Sequence, residues 1–193
     1  MNLSFIPNLI TILRFILVVP LVWYLWNLEY GKGLAIFMLA GFSDGLDGLL
    51  AKRFQWTSRF GAIADPLADK LLLVSSLLLL ATNGDISWWL FAVVTLRDIV
   101  IVSGALIYHY VIGPYRMSPS WISKANTAFQ ILLVVLILAN LSMFAIPGWV
   151  IGIMVGVVWF TSIASGLHYV WLWGGRFRDI LEQRRPDGKG ASL

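Results

Sequence analysis

Apolar residues run along this chain in six long blocks separated by short polar breaks. Windows of about 20 apolar residues, enough to carry a helix across a bilayer, fall near 7–26, 33–52, 60–82, 87–111, 119–141 and 147–173. The connections are short, no soluble insert interrupts them and no internal repeat is evident. The expected fold is therefore all-α and membrane-integral. Six transmembrane helices form one domain over 1–173. A tail over 174–193 follows, polar, basic and partly disordered by composition.

Composition strengthens the membrane reading. Hydrophobic residues make up 59% and charged residues 12%, against about a quarter charged in an ordinary soluble domain. Ten tryptophans suit aromatic belts at two interfaces. There is no cysteine, so neither disulfides nor thiol chemistry enter. The first eight residues lack a basic segment and a small-residue cleavage site, so no signal peptide is expected.

The net charge of +4 is better read through its placement than as a nucleic-acid footprint. Lys52, Arg53 and Arg59 follow the second block, Arg116 and then Lys124 follow the fourth, and Arg176, Arg178, Arg184, Arg185 and Lys189 lie in the tail. The alternate connections hold only Lys32. Basic residues mark cytoplasmic connections, which puts both termini inside, with a bacterial inner membrane as the expected location. The tail arginines are positioned to touch anionic headgroups.

Four carboxylates change the picture. Asp44, Asp47, Asp65 and Asp69 stand in two pairs against membrane-grade apolar sequence, where an ionised carboxylate costs several kcal/mol and is seldom idle. On helices, spacings of three and four put each pair on one face. Together they offer an all-oxygen cage suited to Mg²⁺ or Mn²⁺. Gly45, Gly48 and Gly61 are interleaved with them, and Lys52, Arg53 and Arg59 stand nearby as counter-charges. This set describes a site for a metal-bound diphosphate on the cytoplasmic side. The competing reading is a pair of inter-helix salt bridges, with the glycines serving close packing.

Asp44, Asp47, Gly48, Ala51, Lys52, Gly61, Asp65 and Asp69 resemble the D-x2-D-G-x2-A-R-x8-G-x3-D-x3-D signature of the integral-membrane CDP-alcohol phosphatidyltransferases. Every gap matches, and lysine stands at 52 where that family usually has arginine. The resemblance implies that family's fold and CDP-diacylglycerol as donor, an alcohol as acceptor and CMP as leaving group. It further implies two divalent ions on Asp44, Asp47, Asp65 and Asp69, with Asp69 as general base. Gly48, Ala51, Lys52 and Gly61 would line the cytidine and diphosphate pocket. A homodimer is left open.

Other polar positions fall inside the blocks. Asn8, Thr11 and Arg14 lie three apart on one stripe, either an interfacial anchor or a face turned to a cavity; the same family often begins with P-N-x-x-T-x-x-R. Lys70 is a local counter-charge or a headgroup contact. Arg97 and Asp98 point about 100° apart on a helix, so they are not expected to pair only with each other. They belong either to a self-neutralising network or to a substrate pocket. Ser123, Lys124, Asn126 and Thr127 give polar edges to the fifth block, and His109 and His168 read as structural or interfacial.

Which alcohol is accepted turns on two positions. Glycerol-3-phosphate-using members of the family usually carry further basic residues where this chain has Ala105 and Asn126. Arg97-Asp98 and the run S-K-A-N-T-A-F-Q at 123–130 look like the CDP-diacylglycerol-dependent cardiolipin synthases, with phosphatidylglycerol as acceptor. Arg14, Asn8, Arg97, Lys124 and Asn126 are the candidate acceptor or headgroup residues. A small ion-coupled transporter or channel is the rival from another class, since intramembrane carboxylates also serve there.

Overall fold

The computed structural model describes residues 6–54, 61–112 and 120–183. It describes side chains there except at 6–8, 10, 46–54, 61–63, 66, 105–112 and 173–183. Six helices make up the described chain: α1 Ile6–Trp26, α2 Tyr30–Phe54, α3 Gly61–Thr82, α4 Trp88–Ile112, α5 Trp121–Ser142 and α6 Gly148–Gln183. The first five agree with the expected blocks to within a few residues. The sixth does not stop at 173. At 1.5 Å per residue its 36 residues span about 54 Å, well beyond a hydrocarbon core.

Helix boundaries follow local chemistry. After α3, Gly84 adopts φ +85°, the left-handed conformation that glycine reaches without strain, and the Asp85 N–H returns to the Leu80 carbonyl at 2.9 Å. The Ser120 hydroxyl caps α5 by accepting from the Ser123 N–H at 3.2 Å. The first and third connections are tied together. The Tyr30 hydroxyl donates to Asp85 at 2.8 Å, and the Asn83 amide donates to the Leu25 carbonyl at 3.0 Å. Burial and the Asp85 carboxylate push the Tyr30 phenol up to about 12.

Packing forms two groups of three. Helix α1 lies against α2 and α3, while α6 lies against α4 and α5; α2 meets α5, and α3 touches α4 and α5 over shorter stretches. The apolar core gathers Leu21, Leu25, Phe37, Leu77, Leu80, Val94, Leu133 and Leu138 between them. At Gly33 the first two helices approach so closely that a Cβ would stand 2.5 Å from Leu25 Cδ2.

The polarity is inverted relative to a soluble protein. Outward faces expose Ile16, Val19, Trp23, Ile153, Phe160, Leu167 and Trp171, whereas Thr11, Arg14, Arg97, Asp98, Ser123, Asn126, Gln130, Ser162 and Ser165 are buried. An apolar exterior on that scale needs an apolar surrounding, as a bilayer provides. Among the described residues, Trp121–Ser142 and Gly148–Leu172 are long and apolar enough to cross a membrane, and Thr11–Trp26 is a shorter apolar stretch.

Candidate active site

The site is built where α1, α2 and α3 meet. Thr11 and Arg14 are one turn apart on α1, so both look the same way. The Thr11 hydroxyl donates to Asp65. The Arg14 guanidinium is 1% exposed, with Nη1 2.6 Å from Asp69 Oδ1 and Nη2 3.0 Å from Asp44 Oδ1. One buried stripe of α1 therefore gathers three carboxylates from two other helices. Arg14 is not an interfacial anchor here; it is the cation around which Asp44 and Asp69 are set.

Asp44 lies ten residues before the end of α2, and Asp69 eight residues after the start of α3. The cluster thus sits roughly 12–15 Å inside the helix ends. A Cβ at Gly45 would meet nothing within 4 Å, so no close helix contact among the described residues requires a glycine there. Beyond their backbone, Asn8, Asp47, Gly48, Ala51, Lys52, Arg53, Gly61 and His109 are not described, and Arg59 lies outside the described residues altogether.

Carboxylate oxygens with no sulfur or imidazole among them fit a hard divalent ion in kind. Among the described residues no three carboxylates or histidines already surround one point as a metal cage. Arg14 instead supplies positive charge between Asp44 and Asp69, meeting an Oδ1 atom of each. The groups that would hold an ion are Asp44, Asp65 and Asp69, with Asp47 beside them in sequence.

A second polar group lies beside the first. Lys70 points to α4, where its Nζ is 2.5 Å from Asp98 Oδ2. Asp98 Oδ1 takes Arg97 Nη1 at 2.5 Å. The same buried guanidinium reaches the Ser123 hydroxyl on α5 and donates to the Ser165 hydroxyl on α6 at 2.9 and 3.2 Å. Arg97 and Asp98 do pair, and the pair belongs to a network spanning α3, α4, α5 and α6.

One turn deeper, Asn126 Oδ1 accepts from Thr161 at 2.7 Å and from Ser162 at 3.0 Å. The two amide groups of Asn126 and Gln130 carry buried polar atoms without a hydrogen-bond partner. Lys124 is exposed and lies 5.5 Å from the centre of the Trp121 ring. His168 stacks edge-on against Tyr169. Sequence reading missed Thr161, Ser162 and Ser165. The clue was available: hydroxyls at 161 and 165 recur one turn apart in an otherwise apolar helix.

A cavity of about 1070 Å³ joins the two polar groups. Asp44, Asp69, Lys70 and Asp98 stand in its wall, and the rest is largely apolar, from Phe37 on α2 and Leu73 on α3 to Ile131 and Val135 on α5. It extends about 12 Å along α5 between Thr127 and Val135. Arg97, Lys124 and Asn126 are not in the wall. The arrangement can hold an amphipathic molecule with its polar end at the carboxylates and an apolar chain along the helices.

Comparison with known proteins agrees with this geometry. The family model of the CDP-alcohol phosphatidyltransferases matches residues 4–164. A cardiolipin synthase (CMP-forming) / mitochondrial hydrolase fusion protein of Schizosaccharomyces pombe is 33% identical over 184 residues, 87% of this chain and 31% of that protein. A CDP-diacylglycerol–glycerol-3-phosphate 3-phosphatidyltransferase of Pseudomonas fluorescens is 36% identical over 170 residues, 84% of this chain and 83% of that protein. A probable phosphatidylglycerophosphate synthase of Mycobacterium tuberculosis is 34% identical over 148 residues, 71% of this chain and 67% of that protein. With the matched region running from ahead of α1 into α6 and taking in all four aspartates, the chain belongs to the CDP-alcohol phosphatidyltransferase family.

Proposed function

We propose that the chain is a CMP-forming cardiolipin synthase, transferring the phosphatidyl group of CDP-diacylglycerol to phosphatidylglycerol. The observation that carries this reading is the cavity: its polar end holds Asp44 and Asp69, and its wall is otherwise apolar and runs along the helices. An acceptor that is itself a lipid can deliver its hydroxyl from within such a space. Buried Asn126, held by Thr161 and Ser162, stands where a glycerol-3-phosphate enzyme of this family usually has a cation. Family membership sets aside the transporter or channel reading.

In the proposed reaction Asp69 takes the proton of the acceptor hydroxyl, and the resulting oxygen forms a bond to the phosphatidyl phosphorus. The bond from that phosphorus to CMP breaks, and CMP departs with the electron pair. Mg²⁺ or Mn²⁺, as two ions on Asp44, Asp47, Asp65 and Asp69, would neutralise the diphosphate and polarise its phosphorus. Arg14 orients Asp44 and Asp69, and Thr11 orients Asp65. Gly48, Ala51, Lys52 and Gly61 are assigned to the cytidine and diphosphate. The membrane arrangement that goes with this reading has six spans and a cytoplasmic site.

Phosphatidylglycerophosphate synthesis is the second reading, favoured by the Pseudomonas fluorescens relative that the chain covers over 83% of its length. Labelled CDP-diacylglycerol offered phosphatidylglycerol and glycerol-3-phosphate together separates the two. Cardiolipin with little phosphatidylglycerophosphate is expected. Phosphatidylglycerophosphate alone would replace the first reading by the second.

A further inference from the structure

We propose that Lys70 is the anchor for the phosphate monoanion of the acceptor, held in position by Asp98 and, behind it, by Arg97; this rests on the phosphatidyltransferase reading of the cavity. Among the described wall residues Lys70 is the one cation. The other described cations nearby are committed elsewhere. Arg14 is set between Asp44 and Asp69. Arg97 is buried behind Asp98 and occupied by Ser123 and Ser165. Lys124 is exposed beside Trp121, outside the cavity wall.

The geometry around Lys70 is that of a braced cation. Asp98 uses different oxygens for its two partners, Oδ1 for Arg97 and Oδ2 for Lys70. Arg97 is held by hydroxyls from two further helices and in turn holds Asp98, which draws Lys70 towards α4. An ammonium group has three N–H donors, and Asp98 takes one. The Lys70 side chain remains one third exposed, which leaves donors for an incoming oxygen.

Charge supports the same ligand. Arg97 offsets Asp98 behind the wall, so Lys70 brings one local positive charge to set against a phosphodiester, apart from the Asp44 and Asp69 carboxylates at the other side of the polar end. A phosphomonoester approaching two negative charges would be undercompensated. Lys70 also follows Asp69 directly in the chain, about 100° around α3. A headgroup phosphate on Lys70 therefore lies within a residue's reach of the carboxylate that accepts its hydroxyl proton.

The test uses the full chain purified in detergent: wild type, Lys70→Met and Lys70→Arg. The first readout is the rise in thermal midpoint when phosphatidylglycerol, rather than phosphatidylcholine, is added to the micelles, with glycerol-3-phosphate in a separate arm. We expect a phosphatidylglycerol-specific rise in the wild type, its loss in Lys70→Met and its partial return in Lys70→Arg. The second readout is transfer. Lys70→Met should raise the acceptor KM by about ten- to a hundredfold, the scale of a lost charge-assisted hydrogen bond, with the CDP-diacylglycerol KM within about twofold of wild type.

A merely structural ion pair would lower the lipid-free midpoint and leave the lipid-dependent rise intact, and that outcome overturns the proposal. So does a joint rise of donor and acceptor KM, or a wild type with no rise in either arm. A rise with glycerol-3-phosphate alone, lost in Lys70→Met, would sustain the anchor and refute phosphatidylglycerol as acceptor.

Discussion

Replacing Arg14 by methionine tests whether the carboxylate cluster is held together by charge. The guanidinium lies 2.6 Å from one carboxylate oxygen and 3.0 Å from another. At an effective dielectric of about 20, each contact is worth roughly 6 kcal/mol of gross Coulomb attraction, most of it offset by the desolvation of Arg14. Removing one partner of a fully buried ion pair costs about 3–5 kcal/mol. Here the two carboxylates are each 47% exposed and regain part of their hydration. The expected loss is therefore about 2–3 kcal/mol, or roughly 4–12 °C in thermal midpoint for a chain of this length.

The assay is intrinsic tryptophan fluorescence of purified protein in detergent and chelator, heated with and without millimolar Mg²⁺. Arg14→Met should melt early in chelator, and the gap to wild type should narrow when the divalent ion provides substitute charge. Arg14→Lys keeps the charge without the fork and should fall between them. An Arg14→Met protein as stable as wild type in chelator would refute the organising role. An early melt that Mg²⁺ leaves unchanged would refute the idea that Arg14 and a cation neutralise the same carboxylates.

Three further outcomes are expected. Asp69→Asn should retain CDP-diacylglycerol binding, followed by equilibrium dialysis of labelled nucleotide lipid, yet lose transfer by about a hundredfold or more, since a general base contributes on that scale; equal loss of both would leave Asp69 as a ligand only. Gln130→Met, an exchange of similar shape at a fully buried amide whose polar atoms lack partners, should leave the melting midpoint unchanged or raise it by about 1–3 kcal/mol worth of stability; a lower midpoint would reveal a buried partner such as water. Tyr30 should ionise near 12 and not near 10. Its raised folded value gives stability that is complete below about pH 10 and lost as pH rises towards 12, so the wild-type-minus-Tyr30→Phe ultraviolet titration should show one late phenolate, and a transition near 10 would contradict the Tyr30–Asp85 contact.

Much of the fold was legible because helix position here is dictated by runs of apolar sequence closed by short polar turns. The end of α6 was not, because hydropathy marks where a chain leaves the hydrocarbon and not where the helix stops; the helix runs on to Gln183. At the site, spacings of three and four were enough to place Thr11 and Arg14 on one stripe and each aspartate pair on one face. It could not say that the stripe meets Asp44 on one helix and Asp65 and Asp69 on another, because that depends on α1 lying against α2 and α3. Arg97 resisted for a different reason. Its partners Ser123 and Ser165 are 26 and 68 residues away, and single hydroxyls in apolar helices carry little signal until packing brings them to a buried guanidinium.

The adjacency of Asp69 and Lys70 explains why α3 sits at the seam of the molecule. Side chains one residue apart diverge by about 100°, so a single turn of α3 serves both groups of helices. Asp69 turns to Arg14 and the carboxylates of the α1–α3 group, while Lys70 turns to Asp98 and the buried network of the α4–α6 group. Both side chains stand in the cavity wall. Helix α3 touches α4 and α5 only over short stretches, which leaves room there for a lipid-sized ligand. On the proposed reading, donor chemistry belongs to one group of helices and acceptor anchoring to the other, and α3 fixes the distance between them. A bulky substitution on the cavity face of α3 one turn beyond Lys70, such as Val74→Trp, should then impair acceptor use while leaving the Arg14–Asp44–Asp69 contacts, and with them the Mg²⁺-dependent melting shift, intact. Loss of that shift in Val74→Trp would mean the two groups are not mechanically separable.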